Sequence, residues 1–410
     1  MSQLSNQTTL IYGGDVVTQN AKREIHEAMV TKDGKVVATG SYDDMSALAG
    51  AGARKIDVKG NTVIPGLIDN HPHAMHYAGW DAGCVWLYDC EDHAEIFKRI
   101  KERVAVTPKG QWILTTPVGE VHYFLRRNFK DLKEGRLPNR WELDKIAPDN
   151  PVWITSLAPV EPNCTAMNSL ALKRLGFDKT LPDFLDGVHI GKDEHGELTG
   201  IFWGKVNRYY NMSYKFWLPR VVFSEASGDG YPGVEAWKYC GLRGQQCAAS
   251  RGVTSVLEGH AMHMNNVQAY IDLHNAGLLR MRTIVSPEVA LTCNDGGLSL
   301  SEEGIVAELA RALAFQDPGD DMFSVVGCCL PTGEAVWPGN MRWGFPYPDQ
   351  SGQMTNGVRF CTPEWQKMIY EYCMDNKLRL NMLNLAWPDH DEFFDMVEKN
   401  GWADRIRELD

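Results

Sequence analysis

The second half of the chain alternates between helical and strand patterns, and this alternation constrains the fold more than any other feature of the sequence. Four helical stretches each lead into a short apolar strand; the predicted pairs are 236–250 and 253–257, 266–276 and 280–285, 303–314 and 322–330, and 363–376 and 378–385. Strands that alternate with helices of about 10–15 residues form βα units, whose strands run parallel in one sheet. The sequence therefore predicts an α/β fold.

Residues 8 to 57 have a different pattern, with short apolar runs separated by tight turns. The clearest turn is Asp33-Gly34, which lies between the apolar runs 28–30 and 36–38. This pair suits a two-residue hairpin, because both central residues of a type I′ turn need a positive φ. We therefore expect a small β domain over residues 1–61, which continues directly into an apolar strand at 62–69.

Composition and charge argue against several classes of protein. The 44% of apolar and 23% of charged residues are ordinary for a soluble globular protein. The net charge of −12 does not favour binding to nucleic acid or to an anionic membrane. No apolar run approaches the roughly 20 residues that span a bilayer, and the first residues do not resemble a secretory signal. We therefore expect a cytoplasmic protein with no nucleic-acid or membrane partner.

Two histidines, His71 and His73, follow the apolar stretch 62–69. On an extended strand, residues i and i+2 point to the same side, so the two imidazoles would converge on one metal ion. Neutral imidazole is a good ligand for zinc and similar divalent ions. Enzymes built on parallel barrels also place their chemistry at the C-terminal ends of the strands. The alternative is a surface loop that carries two unrelated histidines.

The sequence around this pair resembles the signature of the metal-dependent amidohydrolase superfamily. Residues 60–73 read GNTVIPGLIDNHPH, which is similar to the superfamily pattern G-x-x-V-x-P-G-L/F-I/V-D-x-H-x-H. Other stretches are similar to one branch, the amidohydrolase 3 or YtcJ-like family: LDKIAPDNPV at 143–152, NSLAL at 168–172, DEHGELTG at 193–200 and RGVTSV at 251–256. The resemblance covers most of the chain.

The resemblance implies a (β/α)8 TIM-type barrel over residues 62–410, with a loop-rich α/β insertion at about 85–235, after the small β domain. It implies that His71 and His73 bind a divalent metal, with zinc as the first candidate. The implied reaction is hydrolysis of a C–N bond, of amide type and not a peptide bond, in a small molecule. A metal-activated water would attack, and a carboxylate would pass its proton to the leaving nitrogen.

Three further residues are candidates because of their place relative to predicted strands. Glu258 and His260 follow the strand 253–257, where Glu258 is a candidate catalytic base or replacement ligand and His260 a candidate substrate contact. Cys328 lies near the position at which relatives carry a lysine, and a thiolate there could bind metal. The alternatives are a hydrogen-bonded polar residue at the barrel mouth and a buried, inert thiol.

Residues near the last two predicted strands are candidates for substrate binding. Trp337 and Trp343 belong to an aromatic-rich loop at 337–347, and Asn384 belongs to the predicted strand 378–385. Loops at this end of a barrel usually shape the substrate pocket. The alternative is that these side chains only pack against the end of the barrel.

The C-terminal part departs from the family pattern. The predicted strand 378–385 has no histidine where relatives carry a metal ligand, and His390 is expected to lie in a loop. About five barrel strands are predicted before the sequence ends, whereas a complete barrel has eight. Three explanations remain open: a fragment of a longer protein, a homo-oligomer or partner chain that covers the unpaired strands, and a homologue that binds a ligand or partner without catalysis.

Overall fold

The computed structural model describes residues 7–75, 84–119, 127–155, 163–185, 188–204, 206, 234–259, 262, 264–289, 302–333, 341–348, 354–357, 359, 361–384 and 386–407. These residues form a mixed α/β fold. The chain divides into two compact units, Met1–Asp69 with Arg251–Ser255 and Asn70–Ser250 with Val256–Asp410. No helix in the described ranges is long and apolar enough to cross a membrane.

The first unit is built on a four-stranded sheet. Its elements are β1 (Thr9–Val17), β2 (Ile25–Lys32), β3 (Lys35–Gly40), α1 (Tyr42–Ala49), β4 (Arg54–Asp57) and β5 (Leu67–Asp69). The strand order is β3-β2-β1-β4, and β4 is parallel to β1 while the other pairs are antiparallel. The predicted hairpin turn is confirmed, because Asp33 and Gly34 join β2 to β3 with φ angles of 51° and 75°.

The second unit begins with a six-stranded sheet and short helices. The elements are α2 (His93–Val104), β6 (Ile113–Thr115), a 3-10 turn (Phe129–Asp131), α3 (Arg140–Asp144), β7 (Val152–Ile154), β8 (Asn163–Met167), α4 (Ser169–Arg174), β9 (Phe184–Leu185), β10 (Val188–Lys192) and β11 (Leu198–Gly204). The strand order is β6-β7-β8-β11-β10-β9. Only the β6–β7 pair is parallel among these strands.

Both faces of this six-stranded sheet are covered. Successive side chains of a strand point to opposite faces. In β7, Val152 and Ile154 therefore pack into one hydrophobic cluster together with α2, while Trp153 packs into another with Phe202 of β11. Burial on both sides explains why β7, Val152–Ile154, consists entirely of apolar residues.

The rest of the second unit consists of βα units. The elements from residue 234 onward are α5 (Val234–Ala249), β12 (Val253–Glu258, whose first three residues are grouped with the first unit), α6 (Met264–Asn275), β13 (Arg282–Val285), α7 (Glu302–Phe315), β14 (Phe323–Val325), β15 (Cys328–Pro331), β16 (Tyr347–Pro348), β17 (Met354–Thr355), α8 (Pro363–Asn376), β18 (Leu380–Leu383), α9 (Trp387–Asn400) and α10 (Ala403–Arg407). The predicted alternation is confirmed. Closure of these strands into a barrel stays a prediction.

The pairing of these strands follows their order in the chain. β12, β13 and β14 are neighbours in that order, and β14 is parallel to β13. A parallel bridge between Glu288 and Cys329 connects the segment after β13 to β15, and β15 pairs in parallel with β18. The carboxyl ends of these parallel pairs therefore face the same way.

Two local predictions are wrong. The strand predicted over 322–330 is two strands, because the chain turns at Gly327, whose φ is 61°. β14 pairs with β13, while β15 pairs with β18. His390 lies in helix α9 and not in a loop; Pro388 in the first turn of that helix is compatible with a helix start.

Candidate metal centre

His71 and His73 lie after the end of β5 and outside any strand. Their Nε2 atoms are 3.2 Å apart, and their ring centroids are 4.9 Å apart with an angle of 73° between the planes. The structure thus brings the two imidazoles together. The alternation along a strand is not the cause, because His73 has a left-handed φ of 46°.

The separation of the two nitrogens fits a shared metal ion. With Zn–N bonds of about 2.0–2.1 Å, two ligand nitrogens 3.2 Å apart subtend roughly 100–106° at the metal, near the tetrahedral angle. In the metal-free protein the same distance suits a hydrogen bond between one protonated and one unprotonated ring nitrogen. His71 is exposed and His73 is half-buried, so the pair is accessible from solvent.

Polar side chains follow the carboxyl ends of the βα strands. They are Glu258 at the end of β12, Ser286 and Glu288 after β13, Thr332 after β15 and Asn384 after β18. The first four are buried, with at most 4% of their surface exposed. Such placement is typical of active sites in parallel α/β proteins. Ser286, Glu288 and Thr332 are not among the residues predicted from the sequence, although their position shortly after predicted strands could have indicated them.

Hydrogen bonds connect these polar residues. The Ser286 backbone N–H donates to the Glu258 carbonyl oxygen at 3.0 Å. Asn381 Nδ2 donates to Ser286 Oγ at 2.8 Å, and the Thr332 hydroxyl donates to Asn384 Oδ1. Asn384 is therefore held in place by a neighbouring strand and remains half-buried.

One carboxylate oxygen of Glu258 makes structural contacts. Its Oε1 accepts hydrogen bonds from the Met75 backbone N–H at 3.1 Å and from the Tyr270 hydroxyl at 2.7 Å. Burial, and next the Glu258 carboxylate, raise the pKa of Tyr270 well above its usual value, so the phenol keeps its proton and donates. These contacts favour a role for Glu258 in holding the chain over a role in proton transfer.

Cys328 faces the hydrophobic core of the βα region. Its Sγ lies 3.9 Å from that of Cys373 on α8, and both residues belong to one buried cluster with Leu330 and Ile369. The Cys373 thiol and burial raise the pKa of Cys328 well above its usual value, which disfavours the thiolate that binds metal. The ligand role of Cys328 stays a prediction that its surroundings do not favour.

The loop that carries Trp343 is attached to α9 by ion pairs. Trp343 and Phe345 are 5.6 Å apart at their centroids, with 30° between the rings. Arg342 pairs with Asp389 and, at 2.6 Å, with Glu392. Burial raises the pKa of Asp389 despite the nearby positive charge of Arg342.

The predicted substrate contacts His260 and Trp337 lie outside the described residues.

No third ligand joins the histidine pair among the residues that the structure describes. Within those ranges there is no group of three or more His, Cys, Asp or Glu side chains that could hold a metal ion. The described residues therefore contain a histidine pair and a set of mostly buried polar residues at the strand ends, and Met75, two residues after the pair, contacts Glu258 of that set.

The family of this chain follows from its match to a family model. The model of the amidohydrolase family matches residues 54–323, which is more than half of the chain. The chain belongs to the amidohydrolase family. The match confirms the resemblance read from the sequence, and it includes the histidine pair and Glu258.

Three curated relatives of this amidohydrolase-family chain match it over part of their length. N-substituted formamide deformylase of Arthrobacter pascens is 28% identical over 198 residues, 47% of this chain and 33% of its own length. YtcJ of Bacillus subtilis, named as an amidohydrolase, is 28% identical over 195 residues, 47% of this chain and 34% of its own. LONG AFTER FAR-RED 3 of Arabidopsis thaliana is 26% identical over 249 residues, 61% of this chain and 38% of its own.

Two solved structures share the fold. Both are described as uncharacterized metal-dependent hydrolases. The one from Pyrococcus horikoshii OT3 has a TM-score of 0.65 at 20% identity, over 96% of this chain and 68% of its own. The one from Pyrococcus furiosus has a TM-score of 0.63 at 18% identity, over 98% of this chain and 75% of its own.

Proposed function

We propose that this chain is a metal-dependent hydrolase that cleaves an amide-type, non-peptide C–N bond of a small molecule. The observation that carries the proposal is the 3.2 Å separation of the His71 and His73 Nε2 atoms, which suits two nitrogens on one ion. These two residues would hold the metal. Zinc is the first candidate, because imidazole nitrogens are among its preferred ligands.

The relatives support this choice of reaction. The deformylase from Arthrobacter pascens is named for the removal of a formyl group from N-substituted formamides, a C–N bond that is not a peptide bond. The two Pyrococcus proteins that share the fold are named as metal-dependent hydrolases. Because the curated matches span less than two fifths of each relative, the substrate is proposed only as a class.

The chemistry would divide between the metal and the chain. When bound, a divalent ion supplies polarisation of the substrate carbonyl and a water activated at neutral pH. Asn384 and Trp343 would orient the substrate, through an amide group and an apolar ring face. The proposal includes a TIM-type barrel over residues 62–410 and a small β domain over residues 1–61, since barrels bind substrate at the carboxyl ends of their strands.

A second candidate is a homologue that binds a ligand or partner without catalysis. The specific observation in its favour is strand β18, Leu380–Leu383, which contains no histidine, together with the lack of a cluster of three ligands among the described residues. Structural zinc sites have four protein ligands and catalytic sites usually three.

Metal content per chain separates the two candidates. Protein purified without added metal would be measured by elemental analysis beside the double variant His71→Ala/His73→Ala. The control is His195→Ala, an exposed histidine in the turn before β11. The hydrolase proposal expects about one equivalent of zinc or a similar ion in the wild type and the control, and loss of it in the double variant. Folded wild-type protein without metal would reject the hydrolase and support the second candidate.

A further inference from the structure

The chain that follows the histidine pair is anchored by one buried carboxylate. Glu258 Oε1 accepts from the Met75 backbone N–H and from the Tyr270 hydroxyl, and Glu258 and Tyr270 are each only 1% exposed. Through this oxygen, the segment after His73 is connected to the end of β12 and to helix α6. Because all three groups are buried, water cannot replace either hydrogen bond without reorganising the core.

Close packing supports the same anchor. Met75 is fully buried, and Asn266 Nδ2 contacts its sulfur at 3.4 Å. On the side of α5, a Cβ added to Gly244 would lie 2.4 Å from the Ala74 carbonyl oxygen, so the helix backbone directly adjoins this segment. Residues 74 and 75 are therefore closely packed against both α5 and α6.

The histidine pair needs such an anchor because of its backbone. His73 has a φ of 46°, in the left-handed region that residues with a Cβ rarely occupy. Conformations of this kind persist where the surrounding structure holds them. Only Ala74 separates His73 from the anchored Met75, so the hydrogen bond at Met75 restricts the backbone that aims the His73 ring.

We propose that Glu258 and Tyr270 are positioning residues, which hold the His71–His73 segment in the geometry that brings the two Nε2 atoms together. The inference rests on the proposed metal-dependent function and assigns to Glu258 a role other than proton transfer. Tyr270 acts through Glu258, and Glu258 acts through the backbone at Met75. Outer contacts of this kind contribute to metal affinity by fixing the ligands before the ion binds.

The test compares zinc affinity across four variants of the full chain, by titration against a chelating dye. Tyr270→Phe and Glu258→Ala are expected to weaken zinc binding about 10–100-fold. Glu258→Gln keeps an acceptor oxygen for both donors and is expected to stay within about threefold of the wild type. The control is Tyr370→Phe, which removes another buried hydroxyl, bonded to Gln366 at 3.3 Å and unconnected to the histidines. It is also expected to stay within about threefold.

A second readout needs no metal. Hydrogen exchange of the peptide covering residues 71–75 is measured in the metal-free protein. Faster exchange is expected in Tyr270→Phe than in Tyr370→Phe, since Glu258, which accepts from the Met75 amide, loses the hydroxyl that fixes its carboxylate. If the wild type binds zinc and Tyr270→Phe binds it as tightly as Tyr370→Phe, the positioning role is overturned while the proposed function stands. If the wild type binds no zinc, the proposed function falls, and equal exchange in the two variants overturns the positioning role as well.

Discussion

We expect Asn168→Ala to destabilise the second unit strongly, because this side chain makes four buried hydrogen bonds. Its Oδ1 accepts from the backbone N–H groups of Val152 and Ala171, both at 2.9 Å. Its Nδ2 donates to the carbonyl oxygens of Ala147 at 3.0 Å and Asn150 at 2.8 Å. Asn168 is completely buried and is the N-cap of α4, so it joins a helix start, a strand start and a loop.

The magnitude follows from the groups that lose their partner. Truncation leaves two backbone N–H and two backbone C=O groups buried without the hydrogen-bond partner that Asn168 provided, and each lost partner costs about 1–3 kcal/mol. The lost helix cap accounts for about 1 kcal/mol of this. Losses within one site are not additive, so the expected total is about 3–5 kcal/mol rather than the sum.

The assay is urea unfolding followed by tryptophan fluorescence, which the 13 tryptophans make sensitive. With a slope of about 3 kcal/mol per M, the midpoint falls by about 1 M or more. The matched control is Asn376→Ala, whose side chain makes one exposed bond to the Tyr372 carbonyl, and a change within about 0.5 kcal/mol is expected there. Equal shifts for the two variants would refute the reasoning from buried hydrogen bonds.

Three other predictions concern charge, backbone and a thiol. Arg136 lowers the pKa of Glu142 to about 2. The ion pair therefore stabilises the protein at neutral pH by about 1–2 kcal/mol after screening, and this stabilisation is lost as the pH falls through about 2. In acid unfolding experiments, Glu142→Gln is expected to have a lower free energy of unfolding at neutral pH, and that free energy is expected to change less between pH 5 and pH 2 than in the wild type. Gly327→Ala is expected to cost more than about 2 kcal/mol by urea unfolding, since its Cβ would lie 1.9 Å from a carbonyl oxygen at a φ of 61°. Cys328→Ala is expected to keep its bound metal by elemental analysis, because the thiol packs against Cys373.

Each of these three predictions has a control variant or a result that would contradict it. For Glu142, a pH profile parallel to that of the wild type would show that the ion pair contributes nothing in the folded state. For Gly327, the control is Gly196→Ala, with a φ of 75° and no atom within 4 Å of the added Cβ; equal losses would mean that the close carbonyl has no effect. For Cys328, loss of metal would restore its predicted ligand role.

The helices and strands of the βα half could be predicted well, because residues close to each helix end determine where that helix begins and ends. Helix α8 has the predicted bounds of 363–376: Thr362 caps its start, a proline occupies the first turn, and Lys377 ends it in a left-handed conformation. The break at Gly327 could not be predicted in the same way. The run 322–330 reads as one buried strand, and only its pairing with two different strands shows where it divides.

The proximity of His71 and His73 was predicted from the sequence, but the backbone conformation that produces it was not. A period of two along a strand predicted converging imidazoles, whereas the observed contact depends on the left-handed backbone of His73. The motifs at 143–152 and 168–172 resemble the family, but the structure gives Asn168 and Asp144 structural tasks: Asp144 accepts from the Ser169 N–H and hydroxyl. Resemblance identifies shared residues without distinguishing those that hold the fold from those that react.

The hydrogen bond between Met75 and Glu258 also has a consequence for biosynthesis. It joins residues 183 positions apart. At a translation rate of about 5–20 residues per second, the ribosome needs roughly 10–40 s to proceed from one to the other. A nascent chain therefore exposes both histidines well before it contains the carboxylate and the phenol that hold their segment, and the centre reaches its final geometry only after α6 has been synthesised.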